Sequence, residues 1–364
     1  MFHVFIAGAG GIGSAIAVLL RNFADFEVEI YIGDIDVDAC EAARSWIQSA
    51  GGSSHAIHCV DMNTDWSENI GNIDILLDCL PGKFAPKMAA IAMKLHSHYA
   101  NLTEYVQETK EIMEMAKDAP TGFGLQSGVA PGFVNVLGKE LFEDFCQEYS
   151  VQTAKEMEMK VGALSRNAIE PHFYAFTWST IGVATEYIKD AEVVLNHEFK
   201  TIPSLSGNKK IWVDGLLMEE NFTSGGAADL PQAYADRIAN IHYKTLRYPG
   251  HWEWVQDIID QTPEGEDTIQ YLEARMLEEV PSVEDDLIIV YASVEGKDSK
   301  GVLRRMEASY RVEPLTVGEV SLRAIQSTTA AGMAEVARLL LLHNHSGVML
   351  QSQIDAKKYM AGPF

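Results

Sequence analysis

Residues 8–13 read Gly8-Ala9-Gly10-Gly11-Ile12-Gly13, and this stretch decides the fold of the chain. A short apolar segment at 3–7 precedes it and an amphipathic run at 14–23 follows it, which places the glycines where a strand turns into a helix. In a G-x-G-x-x-G turn the first glycine permits the tight turn, the second lets the backbone approach a pyrophosphate, and the third lets the helix pack closely on the strand. The helix N-terminus adds unpaired N–H groups and a partial positive charge. We therefore expect Gly8, Gly10, Gly11, Ile12 and Gly13 to bind a dinucleotide.

The second strand, at 28–32, is followed by Asp34, twenty-one residues after Gly13. A carboxylate at this place accepts hydrogen bonds from the adenosine ribose of NAD, and no Lys or Arg lies between Asp34 and Glu41 to hold the 2′-phosphate of NADP. The sequence thus favours NAD over NADP as cofactor. Ile35 is expected beside the adenosine. Asp61 either contacts the adenine or is a solvated loop carboxylate.

Strands and helices keep alternating through the first 125 residues. Further strands are expected at 54–60, 73–80, 98–102 and 122–126, and further helices at 37–49, 86–95 and 106–117. Continuous apolar strands interleaved with helices indicate a parallel sheet covered on both faces. The prediction is an α/β fold with a doubly wound, Rossmann-type parallel sheet. Leu80 and Pro81 close its fourth strand, where the nicotinamide half of the cofactor is expected.

The pattern changes beyond residue 125, which predicts a second domain over 126–319. Strand-like segments at 156–163, 210–213, 287–293 and 304–312 are separated by stretches that look like irregular loops, and the last two segments read as a hairpin with a polar tip. We expect an inserted α+β domain with a mostly antiparallel sheet. A 23-residue run at 321–343, rich in Ala, Leu and Met, predicts a long helix. It would return the chain to the first domain, which is expected to comprise 1–125 and 320–364.

The excess of acidic residues in the composition limits the classes of molecule that the protein can bind. The 364 residues include 52 acidic against 28 basic side chains, a formal charge of −24 that disfavours nucleic acid and anionic membrane surfaces. Four scattered cysteines, with no basic, apolar leader at the start, favour the cytoplasm. The spacing of His96 with His98 and of His343 with His345 does not suit a metal site, so no metal is expected. The antiparallel sheet suggests a homodimer.

Several phrases spread over the chain resemble the saccharopine dehydrogenase and lysine dehydrogenase family. Besides the glycine turn with Asp34 they are Gly128-Val-Ala-Pro-Gly-Phe-Val-Asn135, Phe176-Thr-Trp-Ser179, Glu186-Tyr187 and Lys244-Thr-Leu-Arg-Tyr-Pro-Gly-His251. The resemblance implies an oxidoreductase that oxidises a carbon bearing an amine, passes hydride to NAD(P) and hydrolyses the resulting imine. Saccharopine-type members carry Asp where this chain has Ala130. Three readings stay open: an opine-like amino-acid substrate such as saccharopine, oxidation of the primary amine of lysine, and a non-catalytic sensor or scaffold that binds NAD(H).

An amino-acid substrate brings a carboxylate, for which a rigidly held arginine is the natural partner. Arg247 is the first choice and Arg166 the second. Tyr174 and Trp178 either line the substrate pocket or belong to the core.

Oxidation of an amine also requires a general base with a pKa near the working pH. His251 is the first candidate, Glu104 is an alternative base, and Tyr105 is a candidate to orient the imine or the carboxamide. Gly128 is expected near the nicotinamide, with Pro131 and Gly132 on the substrate side of the same loop.

Overall fold

A computed structural model describes residues 1–104, 106–343 and 345–364. Its strands are β1 (Phe2–Ala7), β2 (Val28–Asp34), β3 (Ile57–Asp61), β4 (Ile75–Asp78), β5 (His98–Asn101), β6 (Gly122–Gly124), β7 (Ala154–Ser165), β8 (Ala191–Leu195), β9 (Glu198–Ile202), β10 (Lys209–Val213), β11 (Leu216–Phe222), β12 (Ile238–Arg247), β13 (Asp286–Lys297), β14 (Leu303–Val312), β15 (Leu315–Val317), β16 (Val320–Leu322) and β17 (Gly347–Met349).

The α-helices are α1 (Gly11–Phe23), α2 (Val37–Ser49), α3 (Trp66–Asn69), α4 (Ala85–Lys94), α5 (Val106–Ala116), α6 (Phe133–Tyr149), α7 (Thr180–Ile188), α8 (Leu230–Tyr234), α9 (His251–Ile259), α10 (Thr268–Glu279), α11 (Ala324–His343) and α12 (Ala356–Met360).

The first of two compact units comprises 1–133, 315–322 and 326–364. Its seven-stranded sheet has the order β17-β6-β5-β4-β1-β2-β3, and every pair in it is parallel. This confirms the predicted doubly wound α/β fold. All six strands expected near the N-terminus are present, with ends that differ by up to three residues. The seventh, β17, comes from the C-terminal part of the chain and pairs with β6.

The second unit comprises 134–314 and 323–325, whereas the sequence analysis placed the divisions after residues 125 and 319. Its sheet has the order β10-β11-β12-β7-β13-β14, with β8 pairing β12 and β9 pairing β8. Only β12 and β7 pair in parallel, and every other pair is antiparallel. The mostly antiparallel sheet and the β13–β14 hairpin are therefore confirmed.

The expectation of irregular loops between these strands was wrong. Helices α7, α9 and α10 lie in those stretches and form a core cluster that includes Tyr187, Trp252 and Met276. These helices have only nine to twelve residues, too few for their apolar positions to establish a helical period against the neighbouring strands.

The long helix α11 begins three residues later than the sequence suggested. Ser321 lies in β16 and pairs with Thr316, and the helix starts at Ala324. Its first N–H groups, those of Ala324 and Ile325, donate to the two carboxylate oxygens of Asp286 at 2.6 and 2.8 Å. A residue almost forty positions away thus fixes the start of this helix, which no local pattern could show. Among the described residues, no helix combines the length and apolarity needed to cross a bilayer.

Candidate functional site

Glycine stands at three positions of the turn after β1 for three different geometric reasons. Gly8 has φ of +104° and its N–H donates to the Gly33 carbonyl at 2.7 Å. A Cβ built on Gly13 would lie 2.0 Å from the carbonyl oxygen of Gly8, so only glycine lets α1 approach β1 this closely. A Cβ on Gly10, by contrast, would meet no atom of the described residues within 4 Å. The space in front of Gly10 is open.

Helix α1 presents its N-terminus to that open space. Among the described residues no side chain caps it at Gly10, and its first turn contains no acidic residue. The backbone N–H of Ser14 is already paired with the carbonyl of Gly10 at 3.0 Å, which leaves the earlier N–H groups at Gly11 and Ile12 for a ligand. An anion is favoured there by these donors and by the helix dipole.

Asp34, at the end of β2, lies beside the glycine turn. One carboxylate oxygen accepts from the N–H of Ala9 at 2.8 Å and the other from the N–H of Asp36 at 3.1 Å. The next residue, Ile35, is 71% exposed. Asp61 is the register partner of Asp34 in β3, and its carboxylate accepts from the N–H of Asn63 at 2.9 Å. Asp34 is thus held against the turn, while Asp61 orders its own loop.

At the end of β4 the turn through Leu80 and Pro81 is held by Asp78, which sequence analysis missed. Its carboxylate accepts from the N–H of Leu80 at 3.0 Å and from the hydroxyl of Tyr99 at 2.8 Å. Asp78 is 2% exposed, and burial raises its pKa to about 6 although both hydrogen bonds oppose the shift. The strand expected from the sequence at 73–80 extends past Asp78, so nothing in the sequence indicates that this residue ends β4 and holds the turn.

The loop at 128–132 folds back on itself. The N–H of Gly128 donates to the carbonyl of Pro131 at 3.0 Å, and a Cβ on Gly132, whose φ is +135°, would lie 2.1 Å from the carbonyl oxygen of Gly128. Pro131 and Gly132 are buried. Beside them, the hydroxyl of Ser127 is buried and has no hydrogen-bond partner among the described residues. Sequence analysis did not single out Ser127.

A buried polar chain lies in the second unit at the end of β12. The Nε of Arg247 donates to the hydroxyl of Tyr187 in α7 at 2.7 Å. That hydroxyl lies 3.0 Å from Nε2 of His251, the first residue of α9. Nδ1 of His251 lies 2.7 Å from the carbonyl oxygen of His172. Since the carbonyl only accepts, Nδ1 carries the hydrogen, and the Tyr187 hydroxyl donates to Nε2.

Arg247 is 1% exposed and lies among aromatic rings. Its guanidinium carbon is 4.8 Å from the ring centre of Tyr174, 5.5 Å from that of Tyr187 and 5.7 Å from that of Trp252. Burial disfavours the charged form, but Tyr187, Tyr174 and Glu186 oppose it, and together they raise the pKa of Arg247 above its ordinary value. Among the described residues no carboxylate comes within 4 Å of this guanidinium, which donates hydrogen bonds to the Tyr187 hydroxyl and to the Leu246 carbonyl. The buried charge therefore has no carboxylate of the described residues in direct contact, and Glu186 acts on it from a greater distance.

His251 is fully buried, and both ring nitrogens are engaged. Burial, with the neighbouring Arg247 as the second cause, lowers its pKa to about 3. The ring is therefore neutral at pH 7 and acts as an acceptor for Tyr187. Its expected role as general base stays a prediction. In the sequence, Tyr187 stands out only as part of the Glu186-Tyr187 phrase, which by itself predicts no hydrogen-bonding role for it.

The remaining candidates are not part of the hydrogen-bonded chain through Arg247, Tyr187 and His251. Arg166 is exposed and pairs with Asp285 at 3.0 Å and with Glu313 at 3.1 Å. Trp178 is half-buried and packs against the core cluster of α7, α9 and α10. Glu104 is half-buried in the first unit, and Tyr105 falls outside the described residues.

One group of metal-ligand type, Glu156, Glu158 and His242, comes together on the second sheet. Glu158 already pairs with Lys160 at 3.2 Å and with Arg305 at 3.1 Å. Glu158 of this group is therefore already paired with two cations of the protein.

Comparison with known proteins agrees with this architecture. Residues 4–123 match the saccharopine dehydrogenase NADP binding domain, and residues 128–364 match the saccharopine dehydrogenase C-terminal domain. Apo saccharopine dehydrogenase (L-Glu forming) from Saccharomyces cerevisiae superimposes with a TM-score of 0.78 at 12% identity, over 99% of this chain and 96% of that one. Homospermidine synthase from Legionella pneumophila, in complex with NAD, gives a TM-score of 0.66 at 14% identity, over 99% and 88%. At such identities the two structures show a shared fold.

Proposed function

The chain belongs to the saccharopine dehydrogenase family, and from this premise we propose that it oxidises the C–N bond of an amino-acid substrate, with hydride transfer to NAD and hydrolysis of the resulting imine. Bound NAD supplies the hydride acceptor. The substrate class proposed is an opine-like secondary amine such as saccharopine. The contribution of the protein's own residues follows from the two places described above.

The first unit fits a dinucleotide on three observations. Gly10 leaves open space where a pyrophosphate would approach the backbone. The uncapped N-terminus of α1 offers donors to it. The buried hydroxyl of Ser127, which has no partner among the described residues, suits a carboxamide group that needs both a donor and an acceptor.

NAD is proposed over NADP because of the charge around Asp34. Asp34, Asp36 and Asp38 follow one another on alternate positions, and no Lys or Arg lies between Asp34 and Glu41. The matched family model carries NADP in its name, but a 2′-phosphate on this chain would meet carboxylates in place of a cation.

The observation that carries the substrate proposal is the buried charge of Arg247. An uncompensated ion inside a protein costs several kcal/mol, about 3–5 when a partner has been removed. Two donors of Arg247 are held by Tyr187 and by the Leu246 carbonyl, which fixes the plane of the guanidinium. Its outer N–H groups match the two oxygens of a carboxylate. An amino-acid carboxylate would supply a counter-ion in direct contact with the guanidinium.

His251 then serves to position Tyr187, and through it Arg247. With a pKa lowered to about 3 by burial, its Nε2 is a weak base near neutrality and accepts one hydrogen bond from Tyr187. The acceptor of the amine proton would be a different group, for which Glu104 is the remaining sequence candidate.

The test is NADH formation with saccharopine, lysine and related diamines in wild type, Arg247→Met and Arg166→Met. Methionine fills a similar length without charge. A bidentate, charge-assisted pair is worth about 3–5 kcal/mol, so Arg247→Met should raise KM for the substrate by roughly 100-fold or more while leaving NADH affinity unchanged. Arg166→Met should behave as wild type. Loss of activity in Arg166→Met alone would transfer the role to the second arginine.

Two alternatives make different predictions. A lysine dehydrogenase-like enzyme would turn over lysine and be silent on saccharopine. A sensor that binds NAD(H) without chemistry is favoured by Ala130, which stands where saccharopine-type relatives carry Asp, and by the neutral, buried His251. It predicts tight NADH binding with no turnover of any amine.

A further inference from the structure

Strand β14 forms an open edge of the second sheet. Within the described part of the chain, this ten-residue strand pairs only with β13. Its odd-numbered residues from 303 to 311 are exposed, whereas Met306, Ala308 and Val312 are half-buried. A long, exposed edge without proline presents a row of backbone donors and acceptors, which native proteins leave to a partner or protect.

The hairpin fixes which backbone groups of β14 face outward. At the hairpin end the N–H of Asp298 donates to the carbonyl of Val302 at 2.9 Å, and the register runs from Lys297 opposite Leu303 to Ile288 opposite Val312. Hydrogen-bonded pairs alternate along an antiparallel ladder. The even-numbered residues of β14 therefore bond to β13. The N–H and C=O groups of the odd-numbered residues point away from the sheet.

We propose that β14 pairs antiparallel with β14 of a second copy of this chain, in the register that places Ser309 of both copies on the two-fold axis. In this register Glu307 faces the partner's Arg311, and Arg305 faces the partner's Glu313. Each pair occurs twice because the interface is symmetric. All these positions are odd-numbered, so the outward-pointing N–H and C=O groups of one β14 lie opposite those of the partner's β14 and can form hydrogen bonds with them.

The even-numbered side chains, on the opposite face of the two paired β14 strands, also match across the axis. Met306 faces the partner's Val312, and Ala308 faces the partner's Tyr310. Opposite charges and apolar pairs across an antiparallel strand pair each favour pairing. The two sheets would join into one continuous sheet across the axis.

Neighbouring registers lack this match. A two-fold axis at Glu307 would place that carboxylate against its own copy. An axis at Ala308 would place Arg305 against the partner's Arg311, and an axis at Tyr310 would place Glu307 against the partner's Glu313. Like charges directly opposite one another destabilise a strand pair. An axis at Met306 would place Arg305 against the partner's Glu307, which gives two opposite-charge pairs where the axis at Ser309 gives four. The mixed charges of β14 thus disfavour several registers and favour the one centred on Ser309.

Charge reversal tests the register by sedimentation equilibrium of the full-length protein. Wild type should be a dimer. Glu307→Arg and Arg311→Glu each convert two attractive pairs into repulsive ones and should raise the dimer dissociation constant about tenfold or more. The double variant Glu307→Arg with Arg311→Glu restores opposite charges only if these two positions face each other, and it should recover the wild-type constant. A monomeric wild type, or a double variant no tighter than the single ones, would overturn the proposal.

A cysteine at the axis gives an independent measurement. Opposed Cα atoms of a hydrogen-bonded pair lie about 5.5 Å apart, within the range of a disulfide. Under mild oxidation Ser309→Cys should therefore give a covalent dimer on a non-reducing gel. The matched control Glu307→Cys, whose copies would lie roughly four residues apart along the strand, or about 13 Å, should stay monomeric on the same gel. Equal cross-linking at both positions would refute the register.

Discussion

Replacing Asp34 by asparagine should weaken the protein's choice between NADH and NADPH. The carboxylate of Asp34 is held against the glycine turn by the N–H groups of Ala9 and Asp36, so it cannot swing away from a ribose that binds at this turn. A 2′-phosphate would bring a second negative charge to within a few ångströms of it. Asparagine keeps the shape and removes the charge.

The structure sets the size of the effect. Two unit charges about 4 Å apart repel by about 1 kcal/mol in bulk water and about 4 kcal/mol at a dielectric constant near 20. Asp34 is half-buried, which places it between these limits. Since about 1.4 kcal/mol is a factor of ten, wild type should bind NADH between roughly 5-fold and 1000-fold more tightly than NADPH.

Isothermal titration of both cofactors measures this ratio directly. Asp34→Asn should bring the ratio close to one, with a modest loss of NADH affinity because the amide oxygen can replace only one of the two carboxylate acceptors. Glu114→Gln is the matched control: it removes a carboxylate charge from an exposed residue of α5 and should leave the ratio within about twofold, as expected for a solvent-screened charge. Wild type that prefers NADPH, or a ratio equally affected in both variants, would refute this reasoning.

Three further predictions concern single side chains. Gly10→Ala should keep the melting temperature of wild type, because its Cβ meets no described atom in the free protein, but it should lose NADH binding in calorimetry, because that Cβ takes the place of the pyrophosphate. Gly13→Ala should lose both thermal stability and NADH binding. Unchanged NADH binding in either variant would contradict the geometry of the turn. Tyr187→Phe removes the hydroxyl that pairs with Nε of Arg247 and with Nε2 of His251 and should cost about 2–5 kcal/mol in urea unfolding. A loss below about 1 kcal/mol would contradict the hydrogen-bonded chain. Because burial lowers the pKa of His251 from 6.5 to about 3, the unfolded state binds one more proton between these values. The free energy of unfolding should therefore fall by up to about 1.4 kcal/mol per pH unit as pH drops from 6 to 4. In His251→Gln, urea unfolding over the same pH range should show a dependence on pH that is smaller by this contribution of one proton.

The parts of the fold that sequence predicted are those with local causes. Helix α2 was expected at 37–49 and is found there. Its N-terminal cap is Asp36, whose carboxylate accepts from the N–H groups of Asp38 and Ala39, so the start of this helix depends on residues adjacent in the sequence. The unit β1–α1–β2 was recognised for the same reason. Strand β17, by contrast, has three residues and exists through its pairing with β6, and the start of α11 depends on Asp286. Neither has a local signature.

The same distinction divides the candidate site. The glycine turn and Asp34 lie twenty-one residues apart in one β-α-β unit, so their proximity follows from the unit itself. Arg247 and His251 are four residues apart, but Tyr187, which joins them, is sixty residues upstream of Arg247. Sequence identified the two ends of this hydrogen-bonded chain and could not show its middle. It also could not show that both ends are buried, which changes what His251 is able to do.

The roles expected for Arg247 and His251 are in fact coupled through charge. Because Arg247 is cationic, a proton on His251 would place a second buried positive charge within the same hydrogen-bonded chain, and Arg247 is accordingly one cause of the lowered pKa of His251. A carboxylate bound to Arg247 would remove that cause, so linkage requires substrate binding to raise the pKa of His251. Burial, the larger cause, would persist. If His251 is nevertheless the base, the acidic limb of kcat should lie at higher pH than that of kcat/KM and both limbs should vanish in His251→Gln. If His251 only positions Tyr187, its replacement should raise KM, as replacement of Arg247 does, and leave the shape of the pH profile unchanged.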